Sequence, residues 1–257
     1  ALPLALSLHK GGQLSQAETI YEQIVKEQPK NSKALNYFGV LKAQKGDSEG
    51  AVRVFAKAVN LEPDNVGYIN NLGNAYRNTQ EIDKAIASYQ RALKVDPNFA
   101  DSHLNLAIAF TEKGTIPEAM TSLQQAIDRN PNHPRAFHAM GDLLLGQGNL
   151  DGAIESYVKS LSIYPQSFET LSALGMALFR KGNLQESQNV YEQALAVAPY
   201  STEALSNIGA VFYEQGRMDA AEACCRAVIE LDAKAIDAYV NLANILSKLV
   251  LPLPFAP

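Results

Sequence analysis

The sequence predicts an all-α solenoid built from antiparallel helix pairs, and three observations carry that reading. Pro29, Pro63, Pro97, Pro131, Pro165 and Pro199 are each 34 residues apart. A glycine column in the same register reads Gly12, Gly46, Gly114, Gly148, Gly182 and Gly216, with Gln80 in its third place. Within each period two stretches place apolar residues at helical spacing, and alternation at a spacing of two never persists. Independent columns in one register mark a repeat architecture.

In chain order, residues 1–31 form a truncated first unit, 32–235 hold six full repeats, and 236–249 form a final single helix. The whole of 1–250 reads as one array, because the proline turns are short and equivalent. Residues 251–257 are an apolar tail interrupted by Pro252 and Pro254, the expected start of a following segment. The segment from Ala1 to Leu8 lacks an initiator Met and a basic leader, so it reads as the cut edge of a longer polypeptide or a processed start.

The unit 64–97 shows how each period is built. Its first helix buries Ile69, Leu72, Gly73 and Tyr76, an i, i+3, i+4, i+7 set, and its second buries Ile82, Ala85, Ile86, Tyr89 and Leu93 before Pro97 stops it. The Gly46 column falls where the first helix turns back, a place that often needs left-handed dihedrals. Small residues at Gly39, Gly73, Gly141, Gly175 and Ala17, Ala51, Ala85, Ala153 predict close backbone crossings. Aromatic residues at Tyr21, Phe55, Tyr89, Tyr157 and Tyr191 are expected to fill the wider gap between successive pairs, with Leu123 and Cys225 as smaller breaks in that column. Neither helix hides its apolar face alone, so neighbouring pairs must stack.

Composition narrows function. Twenty-seven acidic residues against 22 basic ones leave a net charge of −5 without a basic block, which argues against nucleic acid as a ligand. No apolar run reaches the roughly 20 residues of a membrane span. Cys224 and Cys225 are adjacent and are the only cysteines, so there is no disulfide framework and a reducing compartment is permitted; the expected location is cytoplasmic. No zinc, phosphate-loop or nucleophile motif appears, and His9, His103, His133 and His138 have no metal-ligand spacing. No catalytic residue, metal or cofactor is expected. His103 stands in a core column and reads as a structural imidazole.

At about 100° per residue, Gly67, Asn70, Asn71, Asn74 and Asn78 occupy the arc opposite Ile69, Leu72, Gly73 and Tyr76. Their amides offer donors and acceptors on one face. Down the chain, Asn105, Asn207, Asn241 and Asn244 continue the two polar columns, while Ala139, Ala173 and Met176 interrupt them. These asparagines are the candidate contacts to the backbone of an extended peptide, whose own polar groups need partners once water leaves. Tyr37, Met176, Phe179 and Tyr213 are the candidate exposed anchors beside them. Lys33, Arg77 and Arg135 lie toward the first half of this face, and Glu169, Glu203, Glu214 and Asp237 toward the second.

The period, with Gly73, Ala85, Tyr89, Ala92 and Pro97 in one unit and similar sets at Gly39–Pro63 and Gly175–Pro199, resembles the tetratricopeptide repeat (TPR) family over nearly the whole chain. The resemblance implies a right-handed superhelix with the first helix of each pair on the concave side, binding peptides or proteins without chemistry of its own. The phrase Tyr68-Ile69-Asn70-Asn71-Leu72-Gly73-Asn74-Ala75-Tyr76 also resembles the asparagine-laddered arm of O-linked N-acetylglucosamine transferases and related bacterial proteins, whose catalytic half has no counterpart here. The family's carboxylate clamp needs basic residues that Asn36, Asn70 and His138 lack beside them.

The leading expectation is therefore a non-catalytic scaffold gripping an extended peptide or partner protein in a concave groove. Two alternatives are a substrate-recruiting arm of a larger glycosyltransferase or other modifying enzyme, and a self-assembling structural module. The final helix is expected to turn Tyr239, Leu242 and Leu246 to the preceding unit and to leave Val240, Ile245 and Leu249 outward. That edge would then need a cover: another helix, a domain or a second copy of the chain.

Overall fold

A computed structural model describes residues 1–250, with side chains as far as Lys248; the tail at 251–257, with Pro252 and Pro254, and the Leu249 side chain lie outside the described residues. All regular structure among the described residues is helical. The helices fall into two compact units, Ala1–Pro131 and Asn132–Pro257.

The first unit contains α1 (Leu2–Lys10), α2 (Leu14–Glu27), α3 (Ser32–Gln44), α4 (Ser48–Leu61), α5 (Val66–Asn78), α6 (Ile82–Val95), α7 (Ala100–Lys113) and α8 (Ile116–Arg129). The second contains α9 (Pro134–Gly146), α10 (Leu150–Ile163), α11 (Phe168–Lys181), α12 (Leu184–Val197), α13 (Thr202–Glu214), α14 (Met218–Leu231) and α15 (Ile236–Val250). Odd-numbered and even-numbered helices pack as antiparallel pairs, α1 with α2 through α13 with α14. Odd helices also touch one another, α1 with α3, α3 with α5 and α5 with α7 in the first unit, and α9 with α11 and α11 with α13 in the second. They therefore form the inner layer of each unit, the first-helix layer that the family resemblance implies.

Local chemistry sets the helix ends. Asn31, Asp47, Asn65, Asn149, Ser167 and Ser201 each accept the N–H three residues on, satisfying one orphan donor of the first turn. The six glycines of the turn column have φ between 75° and 86°, and Gln80 is left-handed at φ 61°, the one non-glycine with positive φ among the described residues.

The small and aromatic columns turn out to be two halves of one contact. A Cβ added to Gly73 would lie 2.5 Å from Tyr89 Cε1, and the same holds for Gly141 against Tyr157. Gly39 and Gly175 face Phe55 and Tyr191 at 2.7 Å. The ring thus fills a notch within its own pair, rather than a gap between successive pairs as the sequence suggested. Where Ala107 replaces the glycine, the aromatic is replaced by Leu123, and both are buried. A methyl on one side is exchanged for a smaller group on the other, as close packing requires.

Helix α15 also departs from expectation. Ala238 and Ile245 are the side chains it buries, Leu242 is half-buried, and Tyr239 and Val240 are exposed. Ile245 packs with Ala221 and Cys225 of α14. Tyr239 continues the Leu35, Ile69 and Leu171 column, which the second helix of a pair covers; α15 has no such helix among the described residues. Ala238 and Ile245 continue columns that face the preceding pair.

Candidate functional site

The inner layer of the first unit carries a repeated hydrogen-bond link between neighbouring odd helices. Asn71 Nδ2 on α5 donates to Asn36 Oδ1 on α3 at 2.9 Å. One repeat later Asn105 Nδ2 on α7 donates to Asn70 Oδ1 on α5 at 3.0 Å, and Ser102 Oγ donates to the same oxygen at 3.0 Å. The two rungs differ in exposure. Asn70 and Asn105 are each 6% exposed, whereas Asn36 and Asn71 are half-buried.

Asn70 and Asn105 were expected on a free polar face; they are instead inside a helix seam. A helical wheel drawn for one pair counts only that pair's core, and the flank of α5 is covered by α7. Asn74 is half-buried, and its Oδ1 accepts from Tyr89 Oη at 2.7 Å. Asn78 is exposed at the end of α5. Beside the Asn36–Asn71 rung, Tyr37 and Val40 are exposed at 37% and 38%. Arg77 lies 3.9 Å from Glu112, so its charge is already partnered.

This arrangement offers amides of fixed orientation. A primary amide has two N–H donors and an oxygen with two lone pairs; the Asn36–Asn71 bond uses one donor and one lone pair and leaves the rest. Groups held in this way lose little freedom when they bind a ligand.

In the second unit Asn207 is half-buried, Asn241 and Asn244 are exposed, and Tyr213 is half-buried beneath the Lys248 ammonium, 4.1 Å from its ring centroid. Met176 and Phe179 are half-buried, and Phe179 packs against the Tyr191, Ile208 and Val211 cluster. Of the four anchors expected to be exposed, only Tyr37 is; Met176, Phe179 and Tyr213 are half-buried, and Phe179 and Tyr213 pack on apolar clusters.

A polar group that sequence reasoning passed over joins α9, α10 and α11. Tyr157 Oη donates to Asp142 Oδ1 at 2.7 Å, His138 Nε2 lies 3.2 Å from Asp142 Oδ2, and Thr170 Oγ1 is 3.0 Å from His138 Nδ1. Burial works against the Asp142 carboxylate, but the bonds from His138 and Tyr157 outweigh it and hold its pKa below the ordinary value. Burial, reinforced by the Asp142 bond, pushes the Tyr157 phenol up. Asp142 and Tyr157 stand in the same columns as Asn74 and Tyr89, and His138 precedes Asp142 by one helical turn, so the signal was present in the repeat register.

The remaining polar groups read as structural. His103 is buried, and its Nε2 is 3.0 Å from the Pro97 carbonyl. Burial pushes the Cys224 thiol up to about 11, far from the activated range of a nucleophilic thiolate. Among the described residues no group of three His, Cys, Asp or Glu side chains is placed to hold a metal, and no helix is long and apolar enough to cross a membrane.

Stacked antiparallel pairs with glycine turns, ring-into-notch packing and an amide-lined inner layer define a helical-repeat protein. Tetratricopeptide repeat profiles match residues 2–66 and 172–236, just over half of the chain, and a second such profile matches 132–199. A TPR repeat profile matches 73–114 and 109–148. The chain belongs to the tetratricopeptide repeat family. None of the curated proteins compared matches it.

Among solved structures, a chain of the APC/C hetero-tetramer Cut9-Hcn1 is similar at TM-score 0.76 and 18% identity, over 94% of this chain and 48% of that one. This chain therefore spans about half the length of that relative. PilW, a type IV pilus biogenesis factor, is similar at TM-score 0.70 and 24% identity, over 79% of this chain and 94% of that one. YrrB, a TPR protein with an unusual peptide-binding site, is similar at TM-score 0.61 and 19% identity, over 72% and 96%. At these identities the likeness is one of fold. The comparisons carry the family, and not the glycosyltransferase arm within it.

Proposed function

We propose that the chain is a non-catalytic scaffold that binds an extended polypeptide or partner protein on the inner layer of its first unit. The observation that carries this reading is the half-buried Asn36–Asn71 amide pair beside exposed Tyr37 and Val40. The amides suit a peptide backbone and the apolar side chains suit its residues. Asn74 contributes as a donor, since its oxygen is held by Tyr89 and its Nδ2 has no partner among the described residues. Asn70 and Asn105 set the spacing of the helices that present these groups. Membership of the TPR family and the peptide-binding site named for YrrB support the same class of function. Asn207, Asn241 and Asn244 form a second candidate patch in the second unit. The recruiting-arm alternative rests on the Tyr68–Tyr76 phrase alone.

Photo-crosslinking tests this reading. A benzoylphenylalanine at Val40 should capture polypeptide from a random peptide pool, and one at the exposed Gln90 of α6 should not. Capture at Gln90 with none at Val40 would overturn it.

A further inference from the structure

In most pairs a ring fills the glycine notch, and the residue fifteen positions before it is its inner-layer counterpart: Tyr89 bonds Asn74 and Tyr157 bonds Asp142, and Phe55 with Val40 and Tyr191 with Met176 hold the same register. Leu123 and Ile108 fill the same two places with branched aliphatic groups. In the last pair both places become small at once, as Cys225 and Ala210, while Gly209 keeps the notch. Cys224 takes up part of the room, since a methyl on Gly209 would lie 3.1 Å from its Cβ. The rest remains as a cavity of about 200 Å³ between α13, α14 and α15.

Gly209, Cys225, Val228 and Ile245 give this cavity an apolar floor, and Tyr213, Glu214, Asn241 and Asn244 give it a polar rim. An apolar cavity of about 150 Å³ already accepts benzene. A second, more open recess shares Ser206, Val228 and Ala238 with it and carries Glu203, Asp232 and Asp237 against Lys234. Lys248 stands over Tyr213 of the rim, but Glu214, Glu203, Asp232 and Asp237 outnumber Lys234 and Lys248, so the charge around the apolar seat is net negative.

We propose that the cavity seats a phenylalanine or tyrosine side chain of a partner polypeptide, with a lysine or arginine next to it in sequence lying over the acidic recess. The incoming ring takes the place that the protein's own ring holds over Gly39, Gly73, Gly141 and Gly175. The exposed Asn241 and Asn244 amides flank the entering backbone. This inference rests on the peptide-binding reading and names a residue type for the second unit.

Nuclear magnetic resonance titration of the full chain with three capped dipeptides tests it. Ac-Phe-Arg-NH2 should shift the amides of Gly209, Ala210 and Ile245 saturably. Ac-Ala-Arg-NH2 should bind about tenfold more weakly for want of the buried ring, and Ac-Phe-Glu-NH2 about threefold more weakly because exposed charge counts for little. Cys225→Tyr rebuilds the ring of the other pairs and should abolish the shifts. Ala210→Leu, at an exposed position, narrows the mouth and should do the same, and it decides the matter if Cys225→Tyr does not fold. Equal binding of the Phe and Ala dipeptides, or unchanged binding by a folded variant, would overturn the proposal. Peptide binding that is lost on Asn36→Ala and Asn71→Ala but indifferent to both cavity variants would leave the scaffold reading standing and remove only this pocket.

Discussion

The Asn105 amide donates to Asn70 Oδ1 across two helices at 3.0 Å, with both side chains only 6% exposed. This bond makes Asn105 part of the joint between repeats. Asn105→Ala should remove one of the two donors to Asn70 Oδ1, leaving Ser102 Oγ as the other, and cost about 0.5–1.5 kcal/mol for the lost bond. Asn78→Ala, on the exposed end of α5, should stay within about 0.5 kcal/mol of the parent. Urea denaturation of the two variants checks this; equal midpoints would mean that the rung is not a structural contact.

The glycine notch and its ring form a second testable pair. Gly73→Ala should cost about 1–3 kcal/mol, because its methyl would lie 2.5 Å from Tyr89 Cε1. Adding Tyr89→Leu should recover part of that loss, since the chain already pairs Ala107 with Leu123. A double-mutant cycle should return a favourable coupling of at least about 0.5 kcal/mol. Strict additivity would show that the two positions do not share one space.

Gln80 holds a left-handed turn at φ 61° that glycine holds in the other repeats. Gln80→Gly should gain up to about 1 kcal/mol in strain, offset in part by the greater entropy of the unfolded chain. A clear fall in the denaturation midpoint would show that the glutamine side chain contributes more than its backbone costs.

Acid should expose the Asp142 group. Its folded pKa is depressed below the ordinary 3.8, so the stabilisation is present above that value and is lost as pH falls through the lower folded value. As pH falls below about 4 the parent's urea midpoint should therefore fall more steeply than that of Asp142→Asn, which keeps an acceptor for Tyr157 and cannot ionise. Parallel curves would mean that His138 and Tyr157 do not hold the carboxylate.

Much of the fold was legible because it repeats. Pro29 to Pro199 and the Gly46 column mark the turns, and Ile69, Leu72, Ala85 and Tyr89 name core positions that the structure buries. What one period could not show is what the next period covers. Asn70 and Asn105 looked like surface on the wheel of their own helices and are buried between helices. Phe179, on the polar arc of its own helix, lies against the Tyr191 cluster, and Ile245 faces the preceding pair through its column rather than outward. The Asp142–Tyr157 bond repeats the register of Asn74 and Tyr89, but His138 stands out in the sequence only as a histidine without metal-ligand spacing. The cavity at Gly209 needed two columns read together, because Cys225 alone suggests only a smaller core residue.

Calorimetry reads whether the Asn36–Asn71 rung presents its amides to a bound backbone. Peptides selected from a random dodecapeptide display library on the full chain supply the ligand. Asn36→Ala with Asn71→Ala should weaken their binding about tenfold, some 1.4 kcal/mol, with the circular-dichroism spectrum unchanged. Gln90→Ala with Lys94→Ala, on exposed positions of α6, should leave affinity as it was. Unchanged affinity in the asparagine variant, together with loss in the α6 variant, would place the binding surface on α6 instead of the rung.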